Sequence, residues 1–196
     1  MKKFTKLLIL IVLILNFQSF GNQTQNEQLE KSNVEASDSL IDNLIKKMSI
    51  EQKVGQMTQI NIDVISKGKI YNLEVPHQID SAKLDIAINK YFVGSILNAA
   101  GYPFSRDHWK NIITTIQTKA ISEGSKTPII YGIDAVHGAN YTIGATLFPQ
   151  QLALAATWNP ALVQEAAAIT AYDVAASGIP WNFSPVLDLA RQPLWG

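Results

Sequence analysis

The chain has 196 residues, 16 basic and 16 acidic side chains, 47% hydrophobic residues and no cysteine. This length is enough for one globular domain with a real core, or for part of a larger one. The lack of cysteine excludes disulfides, thiolate metal sites, cysteine nucleophiles and an acylated lipoprotein anchor. The balanced charge, without clusters of lysine and arginine, argues against a nucleic-acid partner.

The N-terminus has the features of a cleaved secretory signal. Lysines precede an apolar run over residues 7–15, and the small residues Ser19 and Gly21 stand where a peptidase would cut. The run is too short to span a bilayer comfortably. We therefore predict a signal peptide over 1–21, a flexible polar leader over 22–39, and a secreted or periplasmic protein without a stable membrane anchor.

Two consecutive helices are predicted after the leader. Apolar residues recur at three- and four-residue spacing between positions 40 and 48, so they form one stripe. Ser49 and Gln52 then have the pattern of a capping box, which restarts a helix. Val54 and Met57 are predicted on the buried side of this second helix.

The next segment contains less regular patterns. Residues 59–80 show no sustained period and are predicted to be mostly loop, followed by a helix over 81–91 and a short buried strand over 92–97. A clearer helix begins at Ser105. Its period places one set of residues inward (Trp109, Ile112, Ile113 and Ile116) and another outward (Lys110 and Lys119).

A second strand is predicted where an apolar run ends in an acid. Residues 129–131 lack polar alternation, which is typical of a strand covered on both faces in a parallel sheet. Asp134 lies where this strand would end, and in α/β barrels this end of the strands carries the chemistry. Asp134 could therefore grip a polar ligand, or it could simply cap a loop or helix.

The remaining pattern completes an α/β arrangement. A short helix is predicted over 148–155, a longer one from Asn159–Pro160 to Gly178, and a third strand over 179–188. Strands that alternate with helices favour parallel βα units. Because a closed (β/α)8 barrel takes about 250 residues and only about three strands are visible, the chain is interpreted as part of such a barrel.

Five stretches together carry a family resemblance: Met48–Met57, Tyr131–Gly138, Ala145–Pro149, Leu154–Pro160 and Pro185–Arg191. In this order they resemble the N-terminal region of glycoside hydrolase family 3, the β-glucosidase and β-xylosidase type. The resemblance runs from about residue 40 to Gly196. It implies that residues 40–196 are the N-terminal portion, about three βα units, of a (β/α)8 TIM-type catalytic barrel.

The resemblance also implies an activity and a substrate. The expected reaction is retaining, exo-acting removal of terminal β-D-glucosyl residues from β-glucosides or oligosaccharides, without a cofactor. Asp134 matches the family's aspartate that hydrogen-bonds sugar hydroxyls in the glycone subsite. A carboxylate suits this role because it only accepts hydrogen bonds and can take two adjacent hydroxyls. The stretch Ala135–Gly138 favours the glucosidase-like branch over the branch that cleaves N-acetylglucosaminides.

No catalytic residue is assigned within the chain. Retaining hydrolysis needs a nucleophile and a general acid/base, and in the family both lie downstream of the matched region. Neither Asp134 nor Asp188 is therefore taken as the nucleophile, and the 196-residue chain alone is expected to be inactive. Gln192 and Leu194 replace an aspartate and an arginine that are common in the family. Trp195 stands beside the expected position of a sugar-binding arginine.

Several residues leave alternatives open. His137, with Trp195, is a candidate for lining the site, although it could instead shape its loop. The spacing of Asp134, His137 and His108 is thin support for a metal site, and none is predicted. Three tryptophans could stack on sugar rings or pack in the core (Trp158, Trp181 and Trp195). The alternative function is a non-catalytic secreted carbohydrate-binding fragment, or an inactive one.

Overall fold

The computed structural model describes residues 37–99 and 101–187. The predicted signal peptide, nearly all of the leader, and residues 188–196 with Asp188 and Trp195 therefore lie outside the described residues. The chain divides into one unit up to Met48 and a second from Ser49 onward. The first contains helix α1, residues 37–47. The elements of the second are α2 (Ile50–Gln56), β1 (Gln59–Asn61), a 3-10 turn (Ile62–Ile65), α3 (Ser81–Asp85) with a following π-helical turn (Ile86–Lys90), β2 (Ser95–Leu97), α4 (Arg106–Ser122), β3 (Ile130–Ile133), α5 (Gln151–Ala155), α6 (Pro160–Ala176) and β4 (Trp181–Asn182).

The strands form one parallel sheet in the order β1-β2-β3-β4. The register places Ile60, Ile96 and Tyr131 in one row across the first three strands. Gly132 and Ile133 pair with Trp181 and Asn182 of the fourth. Helical segments connect each strand to the next, so the α/β class with a parallel sheet is confirmed.

Residues 59–80 are mostly loop, as predicted, but they begin with strand β1, which was not predicted. It has only three residues, Gln59, Ile60 and Asn61, and a single apolar residue gives no detectable period. Its pairing partners lie in β2, more than thirty residues away in sequence. The strand therefore depends on a non-local ladder, which the local pattern cannot indicate. The described part of the sheet contains four strands, where the sequence predicted three.

The core lies between one face of the sheet and its helices. Almost completely buried side chains from the strands and from α4 meet there (Ile96, Tyr131, Ile133, Trp109, Ile112 and Ile116). Burying one such side chain contributes about 1.5–3 kcal/mol. The predicted inward face of α4 is confirmed. On the opposite sheet face, however, Ile130 is 53% exposed. Gly132, on the same face, is buried, so the prediction that this strand is covered on both faces is wrong at Ile130 only.

Helix α2 packs through a glycine. Val54 and Met57 are 52% and 80% exposed, so the prediction that they are buried is wrong. Gly55 faces the interior instead, and its carbonyl accepts the N–H of Gly94 at 2.9 Å. A Cβ on Gly55 would lie 2.2 Å from Tyr91 O, and one on Gly94 would lie 2.2 Å from Gln56 O. The helix contacts the chain before β2 backbone to backbone, which leaves no room for a side chain between them.

Most predicted helix starts are confirmed. Ser49 and Gln52 form a complete capping box, while Ser105 Oγ and Asn159 Oδ1 accept backbone N–H groups of α4 and α6. These contacts satisfy amides that the first helical turn leaves without partners. Helix α5 begins at Gln151, slightly later than predicted. Within residues 37–99 and 101–187, no helix has both the length and the apolar character needed to cross a membrane.

Candidate functional site

Asp134 lies at the carboxyl edge of the parallel sheet. Strand β3 ends at Ile133, so Asp134 is the first residue after it, as predicted, and its side chain is exposed. No hydrogen bond to its carboxylate occurs among the residues that the structure describes, so the capping interpretation has no partner there. Burial, and then the nearby charge of Asp134, raise the pKa of the Tyr141 phenol. The carboxylate oxygens are available to accept hydroxyl donors.

The loop that follows Asp134 folds back on itself. The Phe148 N–H donates to His137 O at 2.8 Å, and Nδ1 of His137 lies 3.1 Å from Phe148 O. Because a carbonyl oxygen only accepts, Nδ1 carries the hydrogen. Gly138, with φ +104°, pairs with Leu147 in the same fold-back. His137 therefore shapes the loop through backbone contacts, and its role in lining a site stays a prediction.

Two helices hold the far part of this loop. Tyr141 O accepts the Phe104 N–H at 2.9 Å and the Trp109 indole N–H at 3.2 Å. From the side of α6, Ser177 Oγ lies 3.2 Å from Thr142 Oγ1. Trp109 is the most buried residue of α4, so the loop is bonded to a side chain that the core holds in place. The backbone after β3 is thus fixed by the same helices that cover the sheet.

An ion pair joins the same two helices. Arg106, at the start of α4, donates to Asp173 Oδ1 of α6. The Thr146 N–H of the loop is 3.4 Å from Asp173 Oδ2. Asp173 is buried, with 5% of its surface exposed, whereas the Arg106 side chain is 43% exposed. The loss of stability on breaking the pair should therefore depend on which of the two charged groups is left without its partner.

Replacing Arg106 with glutamine should reduce the free energy of unfolding more than replacing Asp173 with asparagine. The first change leaves a buried charge without its cation, which costs about 3 kcal/mol. The second frees a half-exposed guanidinium that water can solvate, so only about 1 kcal/mol is lost. Urea unfolding of both variants measures the difference. Equal losses, or a larger loss for Asp173→Asn, would contradict the assignment of the buried charge.

The side chain of Asn182 extends the pairing between β3 and β4. The last backbone bond between them runs from Phe183 N–H to Ile133 O, at 2.9 Å. Beyond it, Asn182 Oδ1 accepts the Ala135 N–H at 2.9 Å and its Nδ2 donates to Ala135 O at 3.1 Å. The backbone on both sides of Asp134 is therefore held. Asn182 was not predicted from the sequence, because its partner lies 47 residues away.

Buried polar groups follow the first two strands. Asp63 comes after β1, and its Oδ2 has no hydrogen-bond partner in the described part of the chain. Asn98 follows β2 at φ +70°, and its carbonyl accepts the Tyr131 hydroxyl at 2.6 Å. Burial, and then the charge of Asp63, raise the pKa of Tyr131. These polar groups were not predicted from the sequence either, although Asn98 directly follows a predicted strand.

The other candidate side chains are spread apart. Trp158 is 93% exposed, so it does not pack in the core. Trp181 is 42% exposed and meets Phe183 edge-on, with ring centroids 4.6 Å apart, beside Gly132. His108 Nε2 lies 2.7 Å from His77 O. Across residues 37–99 and 101–187, three or more metal-ligating side chains nowhere converge.

Asp134 lines neither of two apolar hollows found among the described residues. The larger, about 600 Å³, lies between α2 and α3 over β1, and its lining includes Val54, Ile60 and Ile86. The second, about 570 Å³, lies along α6 and is lined by His137, Phe148 and Asn182 among others. Asp134 is therefore an exposed side chain outside both hollows.

Known proteins similar to the chain agree with one another. Residues 49–196 match the family described as "Glycosyl hydrolase family 3 N terminal domain". A lysosomal beta glucosidase of Dictyostelium discoideum is 40% identical over 91% of the chain and 24% of its own length. A periplasmic beta-glucosidase of Salmonella typhimurium is 26% identical over 83% of the chain and 18% of its own length. A putative beta-xylosidase of Formosa agariphila is 30% identical over 80% of the chain and 20% of its own length.

The matches cover most of this chain but only a small part of each relative. The chain spans a quarter or less of the length of these curated relatives. The family match, in contrast, covers well over half of the chain and includes all four strands, Asp134 and the loop behind it. The family predicted from the sequence motifs is therefore confirmed, and the chain belongs to glycosyl hydrolase family 3.

Proposed function

We propose that this chain is the N-terminal part of the catalytic (β/α)8 barrel of a retaining, β-glucosidase-like enzyme. The observation that carries the proposal is an exposed carboxylate, Asp134, directly after a central strand of a parallel sheet in a member of this family. Active sites of α/β barrels are built at this end of the strands. The four parallel strands, each joined to the next through helical segments, are the arrangement expected of half a barrel.

In this proposal Asp134 binds the terminal glucosyl unit. Its oxygens accept hydrogen bonds from two adjacent sugar hydroxyls, and such charge-assisted bonds are stronger than neutral ones. Contacts that tighten as the ring flattens toward an oxocarbenium ion lower the barrier to cleavage. The nucleophile and the acid/base belong to other parts of the polypeptide. The enzyme is proposed to use no cofactor and to act outside the cytoplasm, after removal of residues 1–21.

Activity of the complete polypeptide encoded by the gene tests the proposal. It should hydrolyse an aryl β-glucoside faster than the matching β-xyloside, and NMR of the first product should show the β-anomer. Residues 22–196 alone should release no product. Sugar binding without turnover by the complete polypeptide would favour the non-catalytic, carbohydrate-binding alternative. N-terminal sequencing of the exported protein should begin near Asn22.

A further inference from the structure

We propose that Asn182 is a positioning residue that fixes the direction of the Asp134 carboxylate. The inference rests on the proposed function, since it concerns the residue that is to hold the sugar. Asn182 lies on β4, the strand paired with β3, and within the described residues its side chain hydrogen-bonds Ala135 and not Asp134. Its proposed effect is transmitted through the backbone of Ala135.

The main-chain ladder stops just before the residue that needs to be held. Phe183 N–H bonds Ile133 O, and the paired strands end there. A residue directly after a strand ordinarily has more freedom in its backbone dihedrals, because neither its own peptide group nor the next one is paired. At Asp134 this freedom is removed by the Asn182 side chain, which takes the place of the next ladder residue.

The amide group matches its two partners in one orientation only. Ala135 offers an N–H, which needs an acceptor, and a C=O, which needs a donor. Carboxamides supply both at the required spacing, whereas a carboxylate supplies acceptors alone. Ala135 is 1% exposed, so water cannot easily replace either bond. Losing one of them leaves a buried backbone group without a partner, which is unfavourable.

Asn182→Asp in the complete polypeptide separates positioning from packing, because the two side chains have the same shape. At neutral pH the new carboxylate still accepts the Ala135 N–H but repels the Ala135 carbonyl. We expect kcat/KM for an aryl β-glucoside to fall about 30-fold. Repulsion by the carbonyl raises the pKa of the new carboxyl, and its protonated form can donate again. The activity relative to wild type should therefore recover as the pH is lowered.

The matched control is Asn159→Asp. Among the described residues the Asn159 side chain bonds only through its Oδ1, as the cap of α6, and aspartate caps a helix equally well. This variant should keep wild-type kinetics and the wild-type pH profile. A double-mutant cycle adds a second control: in an Asp134→Asn background, Asn182→Asp should have little further effect, because both changes act on the same contact.

Three results would overturn the inference: wild-type kinetics for Asn182→Asp, a loss that does not change with pH, or full additivity with Asp134→Asn. Failure of the proposed function is recognised separately, by a wild-type polypeptide that does not hydrolyse the glucoside. In that case hydrogen exchange of a peptide that covers residues 134–138 still tests whether Asn182 holds the backbone of Ala135. Exchange should be faster in Asn182→Ala than in wild type, and equal rates would remove the positioning role.

Discussion

Replacing Asp134 with asparagine should lower kcat/KM of the complete polypeptide for an aryl β-glucoside by about a thousandfold. In the proposed function, Asp134 makes two charge-assisted hydrogen bonds to sugar hydroxyls, and their loss would cost about 4 kcal/mol at 1.4 kcal/mol per factor of ten. The free energy of unfolding should change by no more than about 0.5 kcal/mol, because the side chain is exposed and makes no hydrogen bond within the described residues. Initial rates and urea unfolding on one preparation measure both effects.

Asp85→Asn is the control for a general effect of charge. Asp85 is half-exposed and pairs with Lys119 on α4, in the described helices that cover the sheet. Such exposed ion pairs contribute little, because water and salt screen the two charges, so the kinetics should not change. Wild-type kinetics for Asp134→Asn would remove Asp134 from the site. A loss of stability as large as the loss of activity would show that the carboxylate serves the fold instead.

Replacing Gly138 with alanine should be the most destabilising single change in the loop behind Asp134. The new Cβ would lie 2.1 Å from Thr146 O, a backbone atom that cannot move alone, at a residue with φ +104°. Strain of this kind, added to displacement of the backbone at Thr146 and Leu147, should cost about 4 kcal/mol. Urea unfolding measures the loss. Activity should fall as well, because the contacts between His137 and Phe148 depend on this fold-back.

Gly144→Ala gives the matched comparison within the same loop. Gly144 also has a positive φ, +82°, but its Cβ would meet no atom within 4 Å. Only the backbone preference is lost, at a cost of about 1–2 kcal/mol. The difference between the two variants isolates the contact with Thr146. Equal losses would mean that the fold-back adjusts freely and that its close packing has no energetic role.

The features that the sequence predicted are those that neighbouring residues decide. Ser49, Ser105 and Asn159 cap helices through amides two or three residues away, so their patterns are readable in the chain itself. The inward face of α4 follows from helical periodicity. The position of Asp134 directly after β3 was predictable because an apolar strand and its end are adjacent in sequence. The family resemblance then gave this aspartate a role that the local pattern left open.

The features that were missed depend on contacts between distant residues. Strand β1 is defined by its ladder to β2. The hydrogen bonds between Asn182 and Ala135 join residues 47 positions apart, and the Arg106–Asp173 ion pair joins residues 67 positions apart. The burial of Gly55 instead of Val54 has the same origin. Helical periodicity shows which residues share a face, but not which face approaches another backbone. A single sequence contains no direct signal for such pairs.

The close approach of Gly55 and Gly94 has a consequence for engineering this protein. Gly55 lies inside a helix with ordinary helical dihedrals, where alanine is normally preferred by about 1 kcal/mol. A stabilisation strategy based on helix propensity would select this position first, and it would push α2 away from the chain that leads into β2. Space at the backbone, and not intrinsic preference, therefore determines which glycines of this domain can be exchanged. The same limit applies to natural substitutions. A side chain added at either glycine would meet mainly backbone atoms, and no second substitution can shorten those.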